Sequence, residues 1–228
     1  MGEIERGGPI RHETPIPKDP DPEFRCSKMT RRGPLLKPAL LCMLACACSG
    51  TGRADMGGKI VAAARKQVGV TMSYDPAYTA MEYPGGDVPR ERGVCTDVVI
   101  RALRDALQKD LQMLVHEDMK ANFGKYPKTW GLRKTDRNID HRRVPNLMVF
   151  FGRKHIKLPV PDTEDPSKFK PGDLVTCTVP PHLPHIMIVS DRKNEDGLPL
   201  VIHNIGEGAR EEDRLGDFPL TGHFRWKE

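Results

Sequence analysis

The sequence predicts an α+β domain in which helices precede a small antiparallel sheet. Apolar residues recur at helical spacing in the segments before residue 152, whereas three runs between residues 174 and 206 have the length and β-branched content of strands. These strand-like runs follow one another with only turn-rich segments between them. Neighbouring strands are therefore expected to pair antiparallel, without the long crossovers of a βαβ unit.

Four helices are expected before the sheet. They are predicted over residues 57–69, from Cys95 to Leu107, over residues 111–123 and from Pro145 to Phe151. Gly69 is placed to end the first helix, and proline suits the first turn of the last. The buried stripe predicted for the second helix consists of Val98, Val99, Ala102, Leu103, Ala106 and Leu107.

The predicted strands are LVTCTV at 174–179, HIMIVSD at 185–191 and LPLVIHNIG at 198–206. A final run, GHFRW at 222–226, is expected to add an edge strand. The segment 74–93 is rich in Tyr, Pro and Gly, which is typical of a binding loop rather than of a strand.

The composition of the first 54 residues fits an export signal better than it fits part of a folded domain. Residues 1–28 are rich in Pro, Gly and charge, so we expect them to be disordered or to reflect a start assigned upstream of Met29. Residues 29–54 have the order of a secretory signal peptide and linker: basic residues, a short apolar stretch, then small residues. We expect export to the periplasm or cell envelope, with membrane contact only through an uncleaved signal or a lipid on Cys46 or Cys48.

The charge of the chain excludes a nucleic-acid-binding class. The 228 residues carry 36 Lys and Arg against 31 Asp and Glu, a net charge of +5, and the two signs are interspersed. Nucleic-acid-binding domains instead gather their basic residues on one face or arm. Attraction to an anionic polymer such as cell-wall material fits this charge, and so does ordinary solubility.

Cys95 is the candidate nucleophile because it stands directly before the second helix. The free N–H groups and dipole of a helix start favour the thiolate and can donate to an oxyanion, although Asp97 slightly opposes a thiolate nearby. A cysteine nucleophile needs a base and a group that orients the base. His185 and His203 lie on adjacent predicted strands. We expect both imidazoles on the sheet face that the Cys95 helix covers.

These motifs resemble a known superfamily. A cysteine at a helix start, GDLV opening a strand, HIMIV and VIH are similar to the NlpC-type branch of the papain-like cysteine hydrolases. A closer resemblance, over roughly residues 57–226, is to an uncharacterised bacterial family, domain of unknown function 1287. The motifs that carry it are GGDVPRERGVCTDVVIRAL, LVHEDMKANF, DRNIDHRRVPNL, KPGDLVT, LPHIMIVSD and VIHNIG.

The superfamily resemblance implies a papain-like core over residues 57–228 that hydrolyses amide bonds in cell-wall peptides. Cys95 would be the nucleophile, His185 the general base and acid, and His203 the residue that orients His185. Asn204 is the fallback for the orienting role, and Tyr83 resembles the aromatic residue that lines such sites. No metal or organic cofactor is implied.

The chain departs from the NlpC pattern around the cysteine. Val94 stands where Asp usually precedes the nucleophile, and Thr96-Asp97 stand where Ser-Gly usually follow. The expected substrate is a peptidoglycan stem peptide, cleaved as an endopeptidase or amidase would cleave it.

The stretch DHRRVPN, residues 140–146, is a further candidate for substrate binding. Arg142 and Arg143 are suited to bidentate contact with a carboxylate, which stem peptides offer. A solvated loop with Asp140 as a cap explains the same stretch equally well.

Three alternatives remain open. Cys95 and Cys177 are the two cysteines beyond the export segment, and exported proteins favour disulfides. A non-catalytic cell-wall-binding module would keep the fold without turnover. A zinc-dependent hydrolase would need ligands that converge. Its candidate ligands are His182, His185 and His203, helped by Asp140 and His141.

Overall fold

The computed structural model describes residues 56–227, so the predicted disordered segment 1–28 and the signal peptide 29–54 lie outside the described residues. Within this range the chain is α+β, as predicted. The helices are α1 Met56–Arg65, α2 Cys95–Leu107, α3 Leu111–Ala121 and α4 Val144–Arg153. None of the helices in residues 56–227 is long and apolar enough to cross a membrane.

Local interactions set the bounds of α2. Val94 is extended, with φ −115°, and the Asp97 carboxylate accepts its N–H at 2.7 Å, which caps the helix start. Gln108 ends the helix in the left-handed conformation, with φ 56°. The predicted buried stripe is confirmed at its first four positions, while Ala106 and Leu107 are partly buried.

The first helix is shorter than predicted. α1 ends at Arg65, and Gly69, with φ 79°, lies in the turn that follows. α4 begins at Val144 with Pro145 in its first turn, where the missing N–H of proline costs nothing.

The main sheet has six strands in the order β3-β8-β4-β5-β6-β7, and every pairing is antiparallel. The expectation that the last run forms an edge strand is wrong, because β8 pairs with both β3 and β4 inside the sheet. A separate parallel pair joins β1 and β2. The strands are β1 Ser73–Tyr74, β2 Arg92–Gly93, β3 Lys157–Leu158, β4 Leu174–Val179, β5 Leu183–Lys193, β6 Pro199–Asn204, β7 Ala209–Glu212 and β8 Leu220–Phe224.

The main sheet has two buried faces because its side chains alternate between them. On the first, which we call the helix face, Ile186, Ile188 and Ile202 pack with Cys95 in one core. On the second, which we call the loop face, side chains of the alternate parity pack against residues of the connecting loops. The loop-face core consists of Phe169, Val175, Cys177, Met187, Val189, Val201 and Leu215.

Arg101 of α2 binds part of the loop 74–93 through an ion pair and hydrogen bonds. Its side chain is fully buried, forms an ion pair with Asp87 at 3.0 Å and donates to the carbonyls of Val88 and Arg92 at 3.0 Å each. A fully buried guanidinium requires this many partners to offset its lost hydration. The end of the loop is therefore held rigidly where it meets the start of α2.

Candidate functional site

Cys95 is the first residue of α2 and is only 4% exposed. Burial raises the pKa of its thiol to about 12, although the nearby backbone N–H groups of Ile186 and Thr96 act in the opposite direction. The preference of a helix start for a thiolate is thus outweighed by desolvation. The resting group is a protonated thiol.

His185 and His203 form a buried hydrogen-bonded pair, which we call the imidazole pair. His185 Nε2 lies 2.8 Å from His203 Nδ1, and the residues are 4% and 1% exposed. Burial lowers the pKa of both imidazoles, and the proximity of His203 lowers that of His185 further. His203 Nε2 is buried and has no hydrogen-bond partner among the described residues. Both rings are neutral at physiological pH.

The expectation that the imidazole pair lies on the face covered by the Cys95 helix is wrong. His185 precedes Ile186 in β5, and Ile186 packs with Cys95 in the helix-face core. Alternation along the strand therefore turns His185 to the loop face, where Cys177 is its cross-strand neighbour. Within residues 56–227, no hydrogen bond joins the Cys95 thiol to either imidazole.

The thiol nevertheless lies close to the strand backbone directly after His185. The N–H of Ile186 approaches the Cys95 sulfur, and Ile186 is the next residue after His185. The ladder between β5 and β6 begins at the pair Ile188–Ile202. The residues of β5 before Ile188 therefore pair with β4 but not with β6.

Arg142 is fully engaged within the protein, which argues against the substrate-binding role that the sequence predicts for it. Its guanidinium donates to both carboxylate oxygens of Asp97 at 3.0 and 2.9 Å and to the carbonyls of Ala77 and Asp75 at 3.1 and 3.2 Å. The side chains of Arg142 and Asp97 are 2% and 3% exposed. Arg142 fixes the loop 75–77 to the capped start of α2.

The aromatic residue beside Cys95 is Tyr74, and Tyr83 lies elsewhere. The Tyr83 hydroxyl donates to Glu117 on α3 at 2.8 Å, and its ring meets the edge of His116. Tyr74 pairs with Gly93 across β1 and β2, and burial together with the proximity of Cys95 raises its pKa to about 12. Its phenol therefore stays a hydroxyl donor near the thiol.

No local pattern predicts the position of Tyr74. The parallel pairing of β1 with β2 has two residues in each strand, so neither strand has a detectable period. Gly93 allows the approach, because a Cβ there would lie 2.9 Å from the Asp97 carboxylate.

Asn204 lies on the helix face and holds the loops around Cys95 together. Its amide donates to the carbonyls of Ser73 at 3.1 Å and Gly93 at 3.0 Å, and its oxygen accepts the N–H of Gly206. Asn204 is not bonded to His185, so His203 is the residue in position to orient that ring.

A third buried histidine, His223, lies on the loop face, in what we call the Asp173 cluster. His223 Nε2 lies 2.7 Å from the Asp173 carboxylate, and Arg225 donates to both oxygens of that carboxylate at 2.7 and 2.8 Å. His223 Nδ1 lies 3.3 Å from the carbonyl of Pro159. Both nitrogens of this ring face acceptors.

The structure also describes the residues on which the disulfide and zinc-site alternatives depend. Cys95 and Cys177 are both free thiols and lie in different cores. His182 is exposed at the turn between β4 and β5. In the part of the chain that the structure describes, no three His, Cys, Asp or Glu side chains are grouped so that they would hold a metal ion.

Comparison with known proteins covers nearly the same part of the chain. The sequence model of a family described as Domain of unknown function (DUF1287) matches residues 61–226. The Escherichia coli (strain K12) protein named Uncharacterized protein YijF is 56% identical over 163 residues, covering 72% of this chain and 78% of that protein. No solved structure matches this chain.

Proposed function

The chain belongs to the DUF1287 family of domains of unknown function, and we propose that it is a cysteine hydrolase that cleaves an amide bond. Cys95 is the nucleophile, His185 the general base and acid, and His203 the residue that orients His185. The observation that carries the proposal is the imidazole pair itself, held at 2.8 Å beside the strand residue whose N–H approaches the Cys95 sulfur. Nucleophilic catalysis requires an oriented base that reaches the cysteine, so in this proposal His185 reaches Cys95 from the opposite sheet face.

The order of these residues along the chain supports a relationship with the NlpC-type papain-like hydrolases, and we propose a papain-like core on this ground. The substrate that fits this relationship is a peptidoglycan stem peptide, reached by export to the cell envelope. An endopeptidase or an amidase would act there without a metal or organic cofactor.

The protonation states define the chemical step. When His185 Nε2–H donates to His203 Nδ1, the Nδ1 of His185 carries a lone pair. That nitrogen takes the thiol proton as the Cys95 sulfur attacks the substrate carbonyl carbon, which forms a C–S bond and an oxyanion. In this proposal the Tyr74 hydroxyl donates to this oxyanion, which its proximity to Cys95 supports.

The remaining steps return the protein to its starting state. The oxyanion collapses, the C–N bond breaks, and His185 gives its proton to the leaving amine. Water then attacks the thioester with His185 as base, which releases the carboxylic acid and restores the thiol.

The proposal includes a movement of the strand end. His185 faces the loop face at rest, so its ring must turn past Ile186 to reach the thiol. Residues 183–187 precede the ladder with β6 but pair with β4 at every position, so this change breaks part of that pairing. It also breaks the resting His185–His203 hydrogen bond, which re-forms beside the thiol when His203 orients the base. Catalytic hydrogen bonds are often long or unformed until substrate binds.

One observation favours a non-catalytic wall-binding module as the second candidate. The thiol is buried, its pKa is raised to about 12, and no imidazole within residues 56–227 is bonded to it. A thiol in that state is inert unless the site rearranges.

Digestion of purified cell-wall sacculi distinguishes the two candidates. The wild-type protein is expected to release soluble fragments, and Cys95→Ala is expected to release none. Cys177→Ala is the matched control, because it removes the second free, buried thiol of residues 56–227 and should leave digestion intact. Equal digestion by the wild type and Cys95→Ala would refute the nucleophile.

Two further results of the same assay separate the remaining readings. Binding of sacculi without any digestion by the wild type would favour the binding module. Loss of digestion with a chelator, but not with a thiol alkylator, would favour a metal-dependent reaction.

A further inference from the structure

The two adjacent arginines of the stretch 140–146 have opposite environments. Arg142 donates four hydrogen bonds within the protein. The Arg143 guanidinium has no hydrogen bond or ion pair among the described residues, and its Nη1 is buried without a partner. Burial lowers the pKa of Arg143, and Asp140 and Asp136 compensate for this only in part. The guanidinium is only partly buried, but a buried N–H group without a partner is costly, which calls for an explanation.

Trp130 covers one face of this guanidinium. The centre of the Arg143 guanidinium lies 4.3 Å from the centroid of the Trp130 ring, and Trp130 is 51% exposed. Trp130 also has φ 68°, a left-handed conformation that bulky residues rarely adopt and that concentrates at functional sites. Stacking occupies the flat face of a guanidinium and leaves its N–H edge available for a planar acceptor.

A basic cleft lies near Arg143. Neither Arg143 nor Trp130 lines it, but its lining residue Asp136 acts electrostatically on the Arg143 guanidinium. The cleft formed by residues 131–138 and His116 has a volume of about 670 Å³, within the range of ligand sites. Arg133, Lys134 and Arg137 contribute positive charge to its lining. Asp136 is the one carboxylate in that lining, and it already accepts from Tyr78 and Asn138.

We propose that Arg143 and Trp130, with the adjoining basic cleft, bind the carboxylates of an acidic peptide. The N–H edge of Arg143 receives one carboxylate in bidentate fashion, and Arg133 and Lys134 attract further acidic groups along the cleft. This inference goes beyond the proposed function and does not depend on it, because binding here needs neither the thiol nor the imidazole pair.

Binding of a synthetic triglutamate peptide to the full chain carrying Cys95→Ala tests this inference. Titration calorimetry should detect triglutamate but not the matched triglutamine peptide. Quenching of tryptophan fluorescence should accompany binding and disappear in Trp130→Phe, which leaves only the other of the two tryptophans to report.

Substitution of the arginine gives the decisive comparison. Arg143→Gln is expected to weaken triglutamate binding at least about tenfold, because it removes a charge-assisted bidentate contact. Arg143→Lys, which keeps the charge but loses the planar fork, should fall between Arg143→Gln and the parent. Arg192→Gln, an exposed arginine paired with Glu211, is the matched control and should bind as the parent does.

Three outcomes would overturn the inference. One is equal affinity in the Arg143→Gln and Arg192→Gln proteins, with both proteins shown to be folded by thermal unfolding. Another is equal binding of triglutamate and triglutamine. The third is tighter binding of inorganic phosphate than of triglutamate, which would assign the cleft to phosphate groups instead. Failure of cell-wall digestion leaves this binding unaffected, so the two proposals fail separately.

Discussion

The imidazole pair and the Asp173 cluster place three buried histidines on the same sheet face, and two of them, His203 and His223, have contrasting environments. His203 and His223 are 1% and 2% exposed. His223 lies between a carboxylate and a carbonyl, so both of its nitrogens have a partner. Among the described residues, His203 is bonded only to another neutral imidazole, and its Nε2 has no partner.

This difference separates a stabilising arrangement from one suited to proton transfer. A buried charge with complete partners holds a fold together, and removing one partner is strongly destabilising. A buried neutral imidazole can still accept a proton during a reaction, although its burial makes the charged form costly. We therefore expect the Asp173 cluster to affect stability and the imidazole pair to affect activity.

The largest effect is expected at His185. His185→Gln removes the base, so kcat/KM for wall-peptide cleavage should fall by about 10²–10⁴-fold. The free energy of unfolding should change little, because no charged partner is left behind. His182→Gln is the matched control: it lies three residues away in the exposed turn and should keep full activity. A similar loss of activity in both variants would contradict the role of His185.

The next effect is expected at Asp173. Asp173→Asn removes the carboxylate shared by His223 and Arg225, so urea unfolding should give a free energy of unfolding lower by about 3–5 kcal/mol at pH 7. Asp105→Asn, which breaks the more exposed pair with Arg90, should cost about 0–1 kcal/mol. Equal costs would show that the Asp173 cluster does not stabilise the fold.

The pH dependence of Asp173 has a defined sign. Burial raises the pKa of this carboxyl, but hydrogen bonds from Arg225 and His223 outweigh burial and hold the pKa below its usual value. The stabilisation is therefore present above the unfolded pKa of about 3.9 and is lost as the pH falls through the lower folded value. The difference between the wild type and Asp173→Asn should persist from pH 7 to 5 and shrink below pH 4.

The smallest expected effect is that of the imidazole pair on how the free energy of unfolding depends on pH. The folded pKa values of His185 and His203 are lowered, so below about pH 6.5 the unfolded chain binds protons that the folded chain does not. The free energy of unfolding should then fall from pH 7 to 5 by at most about 1.4 kcal/mol per pH unit for each imidazole. Urea unfolding of His203→Asn should show a shallower slope than the wild type, and identical slopes would contradict a neutral pair.

Much of the fold could be predicted because its local patterns are strong. The strand 174–179 is a short run rich in β-branched residues and is observed at the predicted bounds, and the stripe of α2 has an unambiguous helical period. The strand 209–212 was missed, because AREE carries no apolar alternation and is defined only by pairing with β6. The place of β8 inside the sheet depends on contacts between distant segments, which a local pattern does not encode.

The candidate site was harder to predict because it depends on which way side chains turn. The order of Cys95, His185 and His203 does not reveal that one residue of strand alternation separates His185 from the thiol side. Arg142 and Arg143 are indistinguishable in sequence, yet Asp97 engages the first and Trp130 covers the second. Likewise, Tyr74 and Tyr83 occupy one predicted loop, and only pairing with Gly93 brings Tyr74 to the site.

The most direct test of the central claim is a search for the thioester on Cys95. The protein is mixed with wall peptides, quenched with acid during turnover, and mapped by mass spectrometry. We predict an acyl adduct on the fragment that contains Cys95, none on the fragment that contains Cys177, and none in Cys95→Ala. Cleavage that continues without an adduct on Cys95 and persists in Cys95→Ala would contradict the account.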